Sequence, residues 1–367
     1  MNNLYIGLLS GTSMDGIDAA LVDFSDSPRL VASHSIGIPE KLKQTLWELI
    51  LSKTTNSTLL KQTDHELGYL FAKASNELLN ITKLKPKEIT AIGSHGQTIL
   101  HRPNTSSPFT LQIGNPNIIT CNTNITTVAK FRIADIEAGG QGAPLAPLFH
   151  HKFMRSNIVN RAIVNIGGIS NITFLPKDDT FISGFDTGPG NGLLDAWIKK
   201  QQNKAFDQDG QWAASGKIQS ELLAKFLKEP FFKQAPPKST GKDYFNLSWL
   251  EQKLDHYRAE DVQATLAELT AQLIATAIKQ QAWHNSEVII CGGGVHNLDL
   301  LKRIQRLVKN NKVLSSSILG FEPDWLEAML FAWLAKLRLE NQYVDTRRIT
   351  GAKTPVLLGE IHGYNKI

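Results

Sequence analysis

Residues 4–24 read Leu4-Tyr5-Ile6-Gly7-Leu8-Leu9-Ser10-Gly11-Thr12-Ser13-Met14-Asp15-Gly16-Ile17-Asp18-Ala19-Ala20-Leu21-Val22-Asp23-Phe24. An apolar run, Leu4 to Leu9, breaks into glycines, hydroxyls and a carboxylate and resumes at Ile17, the pattern of a β-hairpin with a polar tip. Gly11 and Gly16 allow positive φ and close approach of the backbone, so successive N–H groups can turn toward a phosphate. Thr12 and Ser13 add hydroxyl donors to that cradle. Asp15 or Asp18 is of the type that holds Mg²⁺ directly or through water, because Mg²⁺ prefers oxygen ligands and keeps much of its hydration. The same residue types are also ordinary turn chemistry, in which either carboxylate stabilises the turn. The remainder of the chain decides between the two.

The chain has 367 residues, more than a single core usually accommodates, so two domains are expected. Hydrophobic content of 42% with 20% charged residues is that of a folded soluble protein. The net charge of +5 is spread along the chain without a block of like charges, which favours anionic small ligands over a nucleic-acid partner. Cys121 and Cys291 lie far apart with no CxxC partner, against a disulfide framework or a zinc site. Neither a signal-peptide pattern nor an apolar run of about 18 residues occurs, so a soluble, cytoplasmic protein with no membrane partner is expected.

Further along, the run Leu30 to Ile38 reads as a strand, and helical periodicity continues through Leu42, Leu46 and Leu49 and from Leu59 to Leu79. A strand at Ile89–Gly93 then delivers Ser94-His95-Gly96-Gln97-Thr98 at its end, where ligand groups collect in α/β proteins. Lys130 to Pro144, with Arg132, Asp135 and several glycines, reads as a domain junction that is also a binding loop. A second strand, Gly-turn and strand comes next, Ala162–Ile166, Gly167-Gly168-Ile169-Ser170-Asn171, Ile172–Leu175, and its Gly-x-Ser echoes that of positions 11–13. Two such hairpins predict two similar halves facing one nucleotide. A strand at Phe181–Phe185 ends in Asp186-Thr187-Gly188-Pro189-Gly190-Asn191 and opens into a helix; Val288–Cys291 ends in Gly292-Gly293-Gly294-Val295-His296-Asn297; a last long helix begins near Pro323.

The glycines at 188, 190 and 192 do not fit the dinucleotide fingerprint, and no GxxxxGK[ST] occurs, so Rossmann and P-loop readings fail. Three Gly-rich turns at strand ends, 11–16, 167–171 and 292–294, match in order the two phosphate hairpins and the adenosine turn of the actin-like ATPase superfamily, which includes sugar kinases. The segments Gly11–Asp18, Ser94–Thr98, Arg132–Asp135, Gly139–Leu145, Asn165–Asn171, Phe185–Asn191 and Gly292–Asn297 together resemble the anhydro-N-acetylmuramic acid kinases of bacterial cell-wall recycling. The resemblance spans nearly the whole chain.

That resemblance implies an α/β fold of two actin-like, ribonuclease-H-like domains with ATP and substrate in the cleft. Residues 1–130, with 345–367 returning to them, would form the first domain and 131–344 the second. It implies ATP and Mg²⁺, water and an anhydro amino sugar as reactants, and a homodimer. Gly11, Thr12, Ser13, Met14, Asp15, Gly16, Ile17, Asp18, Gly167, Gly168, Gly292, Gly293 and Gly294 would bind ATP. Asp186 would be the base that activates water for opening the anhydro ring, although an Asp there could also cap the following helix. His95, Gln97, Arg132 and Asp135 would bind the sugar, Arg132 pairing with its lactyl carboxylate. Glu322 either faces the cleft or supplies a favourable charge to the last helix. The rival readings are another small-molecule kinase or ATPase on the same scaffold, and a non-metabolic actin-like ATPase.

Overall fold

The structure, a computed structural model, describes residues 3–11, 14–51 and 57–363. Two compact units emerge, Met1–Phe149 with Trp325–Ile367, and His150–Asp324. In chain order the strands are β1 (Leu4–Leu9), β2 (Gly16–Asp23), β3 (Arg29–Gly37), β4 (Ala91–Ser94), β5 (Gln97–Arg102), β6 (Phe109–Ile113) and β7 (Thr127–Ala129). They continue with β8 (Arg161–Ile166), β9 (Ile169–Leu175), β10 (Ser183–Pro189), β11 (Glu287–Cys291), β12 (Lys312–Ser315) and β13 (Glu360–His362).

In the first unit, β1, β2 and β3 form an antiparallel meander, and β1 pairs on its other side with the parallel β4, which pairs with the parallel β7. The sheet order is β3-β2-β1-β4-β7, closed by the antiparallel β13, while β5 and β6 form a separate hairpin. Because side chains alternate along a strand, Ile6 and Leu8 enter one core with Leu46, Leu67 and Phe71 of helices Glu40–Leu51 and Ser57–Thr82, and Gly7 faces the opposite side. On that side a Cβ at Gly7 would stand 1.7 Å from the Ala328 carbonyl oxygen, and one at Gly93, its register partner on β4, 1.9 Å from that of Phe331. The paired glycines cut a slot in which helix Leu326–Leu339 lies with its backbone against the sheet. This moves the unit boundaries away from the 130/131 and 344/345 expected from the sequence. The slot holds the last helix to the first sheet, and Thr350 donates to Asp135 at 2.7 Å, tying the 131–149 segment to the same unit.

The second unit repeats the plan. β8, β9 and β10 form an antiparallel meander, β8 pairs with the parallel β11, and β11 with the parallel β12, in the order β10-β9-β8-β11-β12. Helix Ala259–Gln280 is buried along most of its length, as its Ala, Leu and Thr content on every face requires. One of its sides packs on β8 and β11 residues, and another on an aromatic cluster that includes Phe226, Phe231, Phe245 and Trp249. Each unit thus carries one five-strand order, a meander followed by two parallel strands, so one sheet plan occurs twice in the chain. Among the described residues no helix is long and apolar enough to cross a membrane.

Candidate active site

In the first unit the carboxyl ends of the parallel strands β1, β4 and β7 lie along one edge, and each delivers polar groups there. After β1, Ser10 is buried and its Oγ donates to Gln97 Oε1 at 2.7 Å, so the foot of the hairpin tip is locked to the start of β5. Met14 takes positive φ, donates its N–H to Gly11 O at 3.0 Å and is fully buried. Its side chain pins the turn from below, and Ile17 likewise enters the core. Thr12 and Ser13 lie outside the described residues. Asp15 is exposed and paired with Lys43 at 2.6 Å, whereas Asp18 is half-buried on β2.

After β4 and β7 come His95 and Arg132. Arg132 donates from Nε and Nη2 to His95 Nε2 at 3.1 and 2.9 Å, and from Nη1 to the Gly142 carbonyl at 2.7 Å. A guanidinium only donates, so Nε2 must be the acceptor and Nδ1 carries the proton, which it gives to Gly96 O at 3.0 Å. Burial and then the Arg132 charge hold the imidazole well below its usual range, so it stays neutral. Phe331 of the last helix packs on its ring at 4.6 Å between centroids. Neither acceptor cancels the charge of Arg132. The guanidinium is fixed in place as a cation, which suits a carboxylate ligand.

Asp135, expected among the sugar contacts, is instead fully buried at 0% exposure. Its Oδ2 accepts the Gly142 N–H at 2.6 Å and its Oδ1 accepts from Thr350, so it shapes the loop that in turn positions Arg132. Gln97, buried too, is engaged by the Ser10 hydroxyl. Glu322 is exposed. The carboxylate that sequence reasoning missed is Glu327, in the first turn of helix Leu326–Leu339, which shares its field with Arg132 and Asp18. Desolvation raises its pKa, Arg132 opposing and Asp18 adding to the shift. Glu327 keeps accessible surface, so this is the desolvation of a group ringed by protein, not sealed in it. Its position on the helix becomes legible only when the slot made by Gly7 and Gly93 is read as a docking site for that helix. Beside His95 a cavity of about 310 Å³ opens between the β4 end, Gly114 and Lys130.

In the second unit the tight turn Gly167–Gly168 joins β8 to β9. Its carbonyls accept N–H groups from the next segment: Gly167 O from Asn191 at 2.8 Å, and Gly168 O from Gly190 and Gly192 at 3.1 and 3.0 Å. A Cβ on Gly190 would meet Gly167 O at 2.4 Å, which explains why this contact is built from glycines. Gly292 and Gly294 pack against Asn165 and Ile166 at the end of β8, leaving Gly293 exposed between them.

Asp186 lies within β10, which runs on past the expected Phe185 end to Pro189. The following helix spans Asn191–Gln202 with Gly190 as its cap residue, so Asp186 does not cap it. The register between β10 and β9 slips between Asp186 and Gly188, a bulge at Thr187, whose hydroxyl donates to Ser170 O at 3.1 Å. Bulges re-aim the neighbouring side chain and recur beside active sites. Asp186 Oδ2 accepts the Thr240 N–H at 2.9 Å, and its own N–H donates to Lys238 O at 3.1 Å. The sequence offers no candidate site residue in segment 238–240.

Among the described residues no group of three or more His, Cys, Asp or Glu side chains forms a metal cage. Mg²⁺ on a nucleotide needs only one or two carboxylates, the remaining ligands being phosphate and water. Asp18, half-buried on β2, and Asp15, exposed and paired with Lys43, both offer the oxygen such an ion takes.

The family description "Anhydro-N-acetylmuramic acid kinase" matches residues 3–364. The chain is 49% identical over 365 residues to an anhydro-N-acetylmuramic acid kinase of Coxiella burnetii, covering 99% of this chain and 98% of that protein. It is 45% identical over 366 residues to one of Shewanella pealeana, covering 98% and 99%. Among solved structures it is similar to a ROK family glucokinase from Streptomyces griseus in complex with glucose and AMPPNP, at 15% identity and a TM-score of 0.40, covering 91% of this chain and 99% of that one.

Proposed function

The chain belongs to the anhydro-N-acetylmuramic acid kinase family, and we propose that it opens 1,6-anhydro-N-acetylmuramic acid with water while phosphorylating the 6-hydroxyl from ATP, Asp186 acting as base. Asp186 takes a proton from the water that attacks the anomeric carbon. As the new C1–O bond forms, the bridging C1–O6 bond breaks, and the electron pair on O6 attacks the γ-phosphorus in line with the departing ADP oxygen. The product is N-acetylmuramic acid 6-phosphate. The observation that carries this reading is Asp186 on its bulge, gripped by the Thr240 amide and released from any capping role.

Arg132, held in place by His95 and Gly142, receives the lactyl carboxylate. His95, Gln97 and Glu327 line the sugar side, and Asp135 supports them from behind. The turn Ser10–Gly16 and the turn Gly167–Gly168 hold the phosphates, and Gly293 offers exposed backbone to the adenosine. Asp18 would hold Mg²⁺ together with phosphate and water oxygens, and the ion would neutralise phosphate charge. By family resemblance the enzyme works as a cytoplasmic homodimer in peptidoglycan recycling.

The test is incubation with ATP, Mg²⁺ and the anhydro sugar in ¹⁸O-water, comparing the native chain with Asp186→Asn. The native chain is expected to place one label at the anomeric hydroxyl of the sugar phosphate, and the variant to bind ATP without turnover. Unlabelled product would overturn hydrolytic opening; near-native turnover in the variant would remove Asp186 as base.

A further inference from the structure

Asp186 does not stand alone on β10. The segment following Pro237 crosses it twice through the backbone, at Lys238 O and at the Thr240 N–H. Between these two bonds the Lys238 side chain turns back. Its ammonium donates to the carbonyls of Phe231 and Phe232 at 3.3 Å each and lies 4.9 Å from the centroid of the Phe231 ring and 5.8 Å from that of Phe185, the residue before Asp186. Carbonyl dipoles and ring faces stabilise a cation without neutralising it. The charge is therefore not cancelled by the groups that hold it. The base of this turret is rigid: Phe231, Phe232, Phe245 and Trp249 stack edge and face, and Glu229 accepts from Trp249 Nε1 at 2.6 Å and Tyr244 OH at 2.5 Å.

We propose that Lys238 is a positioning residue for Asp186, a caged cation that keeps the carboxylate ionised and holds the 238–240 strap whose amide grips it. The inference rests on Asp186 being the base. Burial lowers the pKa of Lys238 and the field of Asp186 raises it, so the two groups are coupled. Of the other elements packed on β10, β9 brings Asn171 opposite Asp186, helix Ala259–Gln280 brings Thr270 and Leu273, and segment Pro230–Lys233 brings the Phe232 ring. An opposite charge near a carboxylate favours its ionised form.

The test pairs two readouts on the full chain. The acid limb of kcat/KM is measured against pH, and the Asp186 carboxyl carbon is titrated by ¹³C NMR, assigned by its loss in Asp186→Asn. In Lys238→Met both the limb and the carboxyl titration are expected to move to higher pH, with Lys238→Arg restoring them. Lys238→Gln, which keeps amide donors for the two carbonyls, takes the place of the Met variant if that one does not fold. A carboxyl titration unchanged in a folded, uncharged variant overturns the inference. A carboxyl that moves while the rate profile does not would uphold the coupling to Lys238 and remove Asp186 as base.

Discussion

The residue that decides how the sugar side of the site works is Arg132, and its partners explain why an arginine stands there. Two N–H groups converge on one imidazole nitrogen and a third meets a carbonyl, a fork that a lysine ammonium cannot reproduce. Arg132→Lys is expected to raise KM for the anhydro sugar 10- to 100-fold with a smaller change in kcat, since charge-assisted hydrogen bonds contribute about 1.5–3 kcal/mol; steady-state kinetics at saturating ATP read this directly. His95, Gln97, Arg132 and Asp135 were all legible as polar groups on glycine-rich segments. Their division of labour was not. Asp135 is bound by Thr350, 215 positions away in the chain, and no local pattern signals a partner so distant. The sequence points to Glu322 as the carboxylate beside the last helix, but the field of Arg132 and Asp18 falls on Glu327, because helix docking sets which turn meets the sheet edge.

At the scale of elements, both hairpins were legible because a period-2 apolar pattern broken by Gly, Ser and Asp has few other solutions. The expected Leu4–Leu9 strand is β1 itself, and the second hairpin forms with its turn at Gly167–Gly168. The slot beneath the last helix was hidden, since a glycine inside a strand pattern announces a close approach without naming what approaches. Gly93→Val is expected to lower the melting temperature sharply and to expose the first unit to proteolysis, because a side chain there would drive the helix backbone off β4. Differential scanning calorimetry checks it, with Gly363→Val, where a Cβ meets nothing within 4 Å, as the neutral comparison. The bulge at Thr187 was equally silent. It depends on the glycine that follows it and on the Ser170 contact, both of which need the partner strand in place.

For the whole molecule, a half-buried histidine in the first unit and a buried one in the second give stability a pH dependence. His101 of the first unit is held at about 4 and His150 of the second at about 3, both by burial, against 6.5 for the free side chain. As pH falls below 6.5 the unfolded chain takes up protons that the folded chain refuses. Each histidine therefore costs about 1.4 kcal/mol of stability per pH unit until its folded value is reached. Urea unfolding is expected to show stability falling from about pH 6.5 down to about pH 4, with His150→Gln flattening the slope. The sequence by itself determined the two-unit α/β class, the three glycine turns and the family, because those depend on local backbone chemistry and on ordered motifs. Only the tertiary structure decided that helix Leu326–Leu339 belongs to the first sheet, that Asp135 supports Arg132 from within, and that Lys238 stands beside Asp186. Each of these is a contact between distant segments, fixed by which surfaces can be buried together and not by the residues on either side.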